Sequence, residues 1–286
     1  MRHYLCFFVF TLVALPVVSQ ATIRWQPQEL VQGQLVRGEG ARACTVALDG
    51  KSLQVDELGR FVFGFGRDHG PKATLTADCP NQAKQSWSLH IEPREYRIQR
   101  INGLPPSKVT PNAEALKRIR KEVAAAKAAR KHRDLRADIF ADFIWPVTGP
   151  ISGVYGSQRV LNGEPRRPHF GIDIARPTGT PFVAPAAGIV RLVHDDMYFS
   201  GGTLILDHGH GVTSAFLHLH KSAVKEGQRV EQGELLGEIG ATGRVTGPHL
   251  DWRMNWRKQR VDPELLVPPM PAALPSEQPK SGLGQP

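Results

Sequence analysis

Three pairs of histidine and carboxylate side chains in the second half of the chain have residue types and spacings that could hold a metal ion. Their members stand two or four residues apart: His169 with Asp173, His218 with His220, and His249 with Asp251. On a strand, either separation returns both side chains to one face. Imidazole and carboxylate are ordinary zinc ligands, and a catalytic zinc site keeps one position open for water. The pattern therefore indicates metal-assisted hydrolysis.

Spacing alone leaves the ligand set open. His208 and His210 form another pair two residues apart, in the segment Asp-His-Gly-His that begins at Asp207. Because a glycine separates these two histidines, we favour a hairpin turn for them over a ligand role.

The elements that must position these residues are predominantly strands. Residues 137–268 alternate short apolar segments with glycine turns, and no long amphipathic helix interrupts them, so we predict an antiparallel, mainly β domain with a groove. Residues 22–100 also read as short strands, with Asp49-Gly50 as a hairpin turn and the alternating segment 86–91 as a half-buried strand. We predict a small amino-terminal β-sandwich there.

Two segments of unusual composition flank the second domain. Residues 101–136 combine a proline-rich link with a basic helix, whose first turn we place near Thr110, Pro111 or Asn112. The helix is either an electrostatic contact for an anionic wall or a solvated helix packed by one apolar stripe. Residues 269–286 carry Pro, Gly, Ser and Gln with few apolar side chains, which is typical of a disordered tail.

The amino terminus predicts export. Residues 1–21 have a basic start, a short apolar run and a small-residue end, the organisation of a signal peptide cleaved after about Ala21. We therefore expect a periplasmic or secreted protein with no stable membrane insertion. Removing this segment leaves Cys44 and Cys79, an even number of thiols in an oxidising compartment, and we predict a disulfide between them. The net charge of +9 suits an anionic polymer such as the cell wall.

Several motifs in the second domain stand together in a known order. They are His169-Phe-Gly-Ile-Asp173, Gly179 to Gly188, Gly202 to Gly209, Phe216-Leu-His-Leu219 and Gly243 to Leu250. With them, residues 145–262 resemble the catalytic domain of the lysostaphin/LytM-type zinc metalloendopeptidases, which cut peptide bonds of peptidoglycan. The sandwich followed by a basic helix is similar to periplasmic members of that family from Gram-negative bacteria.

The resemblance implies a role for each site residue. His169 and Asp173 match the first two zinc ligands, and His218 and His249 match the histidines that act as general base and transition-state stabiliser. The third ligand in the family is a histidine, where this chain has Asp251. With two carboxylates and one histidine around Zn²⁺ the formal charge falls to zero, so we expect retained metal binding with altered catalysis. His220 lies outside the family pattern and is interpreted as an accessory or surface residue.

Two functions from different classes follow from the resemblance. The first is a zinc-dependent endopeptidase, with one Zn²⁺ per chain, that hydrolyses peptide cross-links of peptidoglycan by metal-activated water and a histidine base. The second is a weakly active or inactive LytM-like regulator that activates a cell-wall amidase. Because four of the five site residues are unchanged, the endopeptidase is favoured. The expected substrate is a peptidoglycan peptide, and no nucleic-acid partner is expected.

Overall fold

The computed structural model describes residues 22–101, 112–161 and 163–271. The proposed signal peptide, 1–21, lies outside the described residues, as do 102–111 of the link and 272–286 of the predicted tail. Among the residues described, no helix has the length and apolarity needed to cross a bilayer. The described residues form a mainly β fold with one α-helix, which confirms the predicted fold class.

The amino-terminal region is a sandwich of two sheets. Its strands, in chain order, are β1 (Arg24–Gln26), β2 (Leu30–Val31), β3 (Leu35–Glu39), β4 (Thr45–Leu48), β5 (Lys51–Ser52), β6 (Phe61–Gly64), β7 (Lys72–Asp78) and β8 (Gln85–Glu92). One sheet has the order β1-β3-β6 and the other β2-β8-β7-β4-β5. Phe61, Phe63 and Phe65 are fully buried in one core with Leu75 and Ile91. Alternating apolar side chains on both sheets thus form the interior.

The predicted disulfide is present. Cys44 directly precedes β4 and Cys79 directly follows β7, and the neighbouring residues Thr45 and Asp78 are paired across these antiparallel strands. The register therefore places the two cysteines side by side, and their sulfurs are bonded at 2.01 Å. The bond closes a segment with a sequence separation of 35 residues.

After the sandwich come strand β9 (Ile98–Ile101) and helix α1 (Ala113–Ala129). Asn112 caps the helix, because its side chain accepts a hydrogen bond from the backbone N–H of Ala115. The basic stretch 130–136 is not helical, although its composition continues that of the helix. The reason is tertiary: the carbonyl of Asp134 accepts a hydrogen bond from the backbone N–H of His210.

Only part of the predicted apolar stripe of α1, which comprises Leu116, Ile119, Val123 and Ala126, packs against the sheet. Leu116 and Val123 remain exposed, whereas Ala126 contacts the sheet of the second domain together with Ala125 and Ala129. Alanine side chains are small, so the end of the helix lies close to that sheet. The apolar packing of α1 on the second domain is therefore made by its carboxyl-terminal turns, and Glu122 in the middle of the helix accepts a hydrogen bond from the backbone N–H of Tyr198.

The second domain is built from twelve further strands: β10 (Ile151–Gly153), β11 (Gln158–Leu161), β12 (Glu164–Pro165), β13 (Ile172–Ala175), β14 (Pro181–Val183), β15 (Gly188–Met197), β16 (Gly201–Asp207), β17 (Val212–Ser222), β18 (Arg229–Val230), β19 (Leu235–Ile239), β20 (His249–Trp256) and β21 (Gln259–Val261). Ten of them form one sheet around the path β10-β13-β20-β17-β16-β15-β18. Neighbouring strands in it are antiparallel, as predicted. Short 3₁₀ helices at Ala137–Phe140 and Pro263–Leu266 flank this domain.

The two faces of this sheet have different roles. Phe216 and Trp252 are fully buried on one face, in the apolar core. Ala215 and Leu217, the neighbours of Phe216 on β17, point to the opposite face, where they pack against α1.

A small separate sheet connects the sandwich to the site. β11 and β12 form a hairpin just before His169, and β11 pairs in parallel with β9. The chain leaving the sandwich is therefore hydrogen-bonded to the segment that leads into the site.

Candidate functional site

The strand register brings two carboxylates together on the face opposite the core. Asp173 of β13 and Asp251 of β20 are direct cross-strand partners, so their side chains project in the same direction. His169 lies four residues before Asp173, and its Nε2 is 3.2 Å from the Asp173 Oδ1. One ligand atom from each of His169, Asp173 and Asp251 lies within 4.8 Å of the others. The fold thus assembles residues that are far apart in sequence into one cluster.

The donor atoms of this cluster fit a metal ion. His169 Nε2 and Asp173 Oδ1 are buried, only 3.2 Å apart, and neither has a hydrogen-bond partner in the part of the chain that the structure describes. Buried polar atoms without a partner are costly, and a bound cation would satisfy both of them. Tetrahedral zinc with bonds of 2.0–2.2 Å separates neighbouring ligand atoms by about 3.4 Å. The observed spacing of this pair is close to that distance.

Two further histidines face the cluster with defined tautomers. Nδ1 of His218 lies 2.9 Å from the carbonyl oxygen of Thr242, and Nδ1 of His249 lies 2.9 Å from that of Gly247. A carbonyl oxygen can only accept, so in both neutral rings Nδ1 carries the proton and Nε2 keeps a free lone pair. The two ring centroids are 4.9 Å apart. Both residues therefore present a proton-accepting nitrogen.

Those free nitrogens are directed at the carboxylates. His218 Nε2 is 3.9 Å from Asp251 Oδ2, and His249 Nε2 is 3.7 Å from Asp173 Oδ1. Burial lowers the pKa of His218 below its usual value, an effect only partly opposed by the Thr242 carbonyl and the Asp251 charge. His218 is consequently neutral, and able to accept a proton, at neutral pH.

A β-bulge orients His218. Phe216 pairs with Leu204, and Leu219 pairs with Gly202, so two residues of β17 oppose the single residue Thr203 of β16. His218 is one of the two, and its φ of 64° lies in the left-handed region that non-glycine residues rarely adopt. Bulges commonly redirect a side chain beside an active site. Here Leu219 returns to the core while His218 stays at the cluster.

Arg253 is a site residue that the sequence analysis missed. Its Nε donates to Asp251 Oδ1 at 2.9 Å, and its Nη2 donates to Asp251 Oδ2 at 2.5 Å. Burial would raise the pKa of Asp251, but the charge and hydrogen bonds of Arg253 more than offset this and lower it. The spacing contained a signal, because a residue two positions beyond Asp251 on a strand shares its face.

Two glycines leave room for the carboxylates. A Cβ atom on Gly153 would lie 2.2 Å from Asp173 Oδ2. One on Gly171 would lie 2.7 Å from Asp251 Oδ1 and 2.6 Å from the Arg253 Cγ. Any side chain at either position would therefore displace a member of the cluster.

The other candidate histidines lie elsewhere. His208 and His210 are buried in the turn between β16 and β17, where the hairpin was predicted. His208 Nδ1 donates to the Ala187 carbonyl, and its Nε2 lies 2.8 Å from the Ser214 hydroxyl, so its role there is structural. His220 is exposed on β17. None of these three belongs to the cluster of potential ligands found among the described residues.

Comparisons with known proteins agree with this geometry. Residues 167–263 match the model of Peptidase family M23. A crystal structure from Pseudomonas aeruginosa, assigned to peptidase M23, superposes with a TM-score of 0.65 at 31% identity and covers 83% of this chain and 95% of that one.

Two curated relatives match part of the chain. The peptidoglycan DD-endopeptidase ShyA of Vibrio cholerae is 36% identical over 126 residues, which are 41% of this chain and 29% of ShyA. The cell division protein DipM of Caulobacter vibrioides is 32% identical over 147 residues, which are 49% of this chain and 23% of DipM. The matches thus span less than a third of the length of either relative.

Proposed function

The chain belongs to peptidase family M23, and from this we propose that it is a metal-dependent endopeptidase that hydrolyses peptide cross-links of peptidoglycan. The observation that carries the proposal is the cluster of His169, Asp173 and Asp251 faced by the free Nε2 atoms of His218 and His249. One relative that matches part of the chain is named as a peptidoglycan DD-endopeptidase, which supports the proposal. Peptide-bond hydrolysis by a metallopeptidase needs metal ligands and a nearby group that accepts the proton of water, and this cluster offers both.

In this proposal one zinc ion is held by His169, Asp173 and Asp251. When bound, zinc supplies Lewis acidity that polarises a carbonyl and makes water more acidic. The first two ligands contribute the buried atoms that have no hydrogen-bond partner. The third contributes a carboxylate whose oxygens also accept hydrogen bonds from Arg253. Because a carboxylate oxygen has more than one lone pair, it can serve both partners.

The two histidines handle protons and charge. His218 Nε2 or His249 Nε2 accepts the proton of the attacking water and later returns it to the leaving amine. The other ring takes up a second proton from solvent, and its Nε2–H then donates a hydrogen bond to the oxygen on which negative charge develops. The carbonyls of Thr242 and Gly247 accept from Nδ1 of both rings, so Nε2 of each ring is the atom that accepts or donates at the site.

Arg253 compensates for the carboxylate that replaces the family's histidine. Two carboxylates carry two negative charges, and the guanidinium bonded to Asp251 cancels one of them. The net charge around the metal then equals that of the usual set with two histidines and one aspartate. We therefore propose that Asp251 and Arg253 act as a unit, and that the substitution preserves an active centre. This favours the endopeptidase over the inactive amidase regulator.

The place of action follows from the substrate. Peptidoglycan lies outside the cytoplasmic membrane, so we propose a periplasmic or secreted location, with residues 1–21 as the export signal. The Cys44–Cys79 disulfide supports this proposal, because such bonds persist in oxidising compartments.

Digestion of purified sacculi tests the proposal. The full mature chain, loaded with zinc, should convert cross-linked muropeptides into monomers, as measured by liquid chromatography with mass spectrometry. A chelator and the variant His169→Ala should each abolish this conversion, and zinc should restore activity only to the chelated wild-type protein. If the zinc-loaded protein leaves the cross-links intact but stimulates an added amidase, the regulator is the correct function.

A further inference from the structure

The end of α1 adds a charged residue beside the metal cluster. Ala129 packs with Ala215 and Leu217 on the sheet face that carries the site. These two β17 residues pair in register with Arg253 and Asp251, respectively. Arg130, the residue after Ala129, therefore lies near Arg253, and the charge of Arg253 lowers its pKa.

Arg130 belongs to a group of four arginines around the site. Arg253 and Arg260 lie on one face of the sheet, because Arg260 of β21 is the cross-strand partner of Asn255, two residues beyond Arg253 on β20. Arg167 precedes His169 by two residues, and its charge acts on both Arg130 and Arg260. Burial is the main reason that the pKa of Arg130 falls to about 10, and repulsion from Arg253 and Arg167 adds to it. Burial likewise lowers the pKa of Arg260 to about 9, with repulsion from the same group. Positive charge is thus concentrated at this edge of the site.

Three of the four guanidinium groups form no ion pair among the described residues. Arg253 is paired with the Asp251 carboxylate, but Arg130 donates to the Ala126 carbonyl at 3.2 Å and Arg260 to the Asn255 amide oxygen at 2.6 Å. Both of those acceptors are neutral. Among the ion pairs of the described residues, none joins a carboxylate to Arg130, Arg167 or Arg260.

The group is also accessible to a ligand. The Arg167 side chain is exposed, and the Arg253 side chain retains 30% of its exposure. Arg130 is partly buried, and its buried Nε has no hydrogen-bond partner among the described residues. Buried charges are normally paired, so an anion from outside the chain is the partner that this arrangement lacks.

We propose that Arg130, Arg167 and Arg260 form an anion subsite that binds a free carboxylate of the peptide substrate beside the bond to be cut. The inference rests on the proposed function and deepens it, since it makes the substrate an acidic peptide. Guanidinium groups suit this task because they bind carboxylates through two parallel hydrogen bonds. Binding of a carboxylate at this subsite would position the peptide next to the cluster of His169, Asp173 and Asp251, while Arg253 stays in its ion pair with Asp251.

Two matched peptides test the subsite. One is a cross-linked stem peptide with its carboxylates free, and the other is the same peptide with those carboxylates amidated. The wild-type protein should cleave the acidic peptide with a KM about tenfold lower, the size expected when charge-assisted hydrogen bonds are lost. Arg130→Gln and Arg167→Gln should raise KM for the acidic peptide and leave KM for the amidated peptide unchanged.

Matched variants control for charge and folding. Arg120→Gln on the exposed part of α1, and Arg166→Gln beside Arg167, each remove one exposed guanidinium from outside the group, and neither should change the preference. If wild-type protein cleaves both peptides with equal KM, and Arg130→Gln and Arg167→Gln match their controls, the subsite is wrong although the endopeptidase stands. Titration calorimetry measures peptide binding independently of cleavage. If no peptide is cleaved, but the acidic peptide binds and Arg167→Gln weakens that binding, the anion subsite is correct and only the proposed endopeptidase function is wrong.

Discussion

Removing the Arg253 guanidinium should strongly destabilise the metal-free protein. Asp251 is 2% exposed, and its carboxylate has three hydrogen-bond contacts with this one residue. Loss of one partner from a buried ion pair typically costs about 3–5 kcal/mol, because the remaining charge is left uncompensated. The Arg253 side chain is 30% exposed, so water can reach part of the vacated space. We therefore expect Arg253→Ala to lower the free energy of unfolding by about 3 kcal/mol.

The assay is urea unfolding of chelator-treated protein, followed by the fluorescence of the tryptophans. Arg253→Ala, Asp251→Asn and the double variant complete a double-mutant cycle, which isolates the energy of the pair. Saturating zinc should reduce the loss in Arg253→Ala, because the cation supplies the positive charge that the variant lacks. Arg166→Ala, which removes an exposed arginine, should change stability by less than about 0.5 kcal/mol. A coupling energy below about 0.5 kcal/mol would refute the reasoning, since the pair would then be independent.

Three further predictions concern other parts of the molecule. Burial lowers the pKa of His208 to about 4, so the unfolded chain binds a proton between pH 6.5 and 4 that the folded chain does not. As the pH is lowered from 6.5 to 4, the free energy of unfolding of the wild-type protein should therefore fall by about 3 kcal/mol more than that of a His208→Gln variant. The measurement is urea unfolding at several pH values, and the same pH dependence in both proteins would disprove this. Gly153→Ala should weaken zinc binding at least tenfold in a competitive chelator titration, because the added Cβ displaces the Asp173 carboxylate. The control Gly70→Ala should leave zinc binding unchanged, because a Cβ there has nothing within 4 Å. Replacing both Cys44 and Cys79 by alanine should lower stability by about 3–4 kcal/mol, and an unchanged urea midpoint would contradict that value.

Local patterns were sufficient for much of the fold. The alternating residues 86–91 form most of β8, with Leu89 and Ile91 buried, because a period of two specifies one covered face. The turn at His208 and His210 and the Cys44–Cys79 bond were likewise predicted from neighbouring residues and compartment. In these cases the deciding interactions are near in sequence or follow from residue type alone.

The remaining features depend on partners distant in the chain. The helix ends at Ala129 and not near 136 because the backbone of Asp134 is hydrogen-bonded to the turn at His210. The bulge at His218 depends on the register of the opposing strand β16, which composition does not reveal. The position of Arg130 near Arg253 arises only when the end of α1 packs on the sheet. Such contacts are set by tertiary structure, which overrides local propensity.

We propose that the third metal ligand is a carboxylate whose charge is compensated by an arginine. A crystal structure of the zinc-loaded protein, with anomalous data collected at the zinc edge, would show whether this is so. We predict one anomalous peak within about 2.2 Å of His169 Nε2, Asp173 Oδ1 and an Asp251 oxygen, with Arg253 still bonded to Asp251. A peak bound without Asp251, or no peak at this cluster in fully loaded protein, would contradict it.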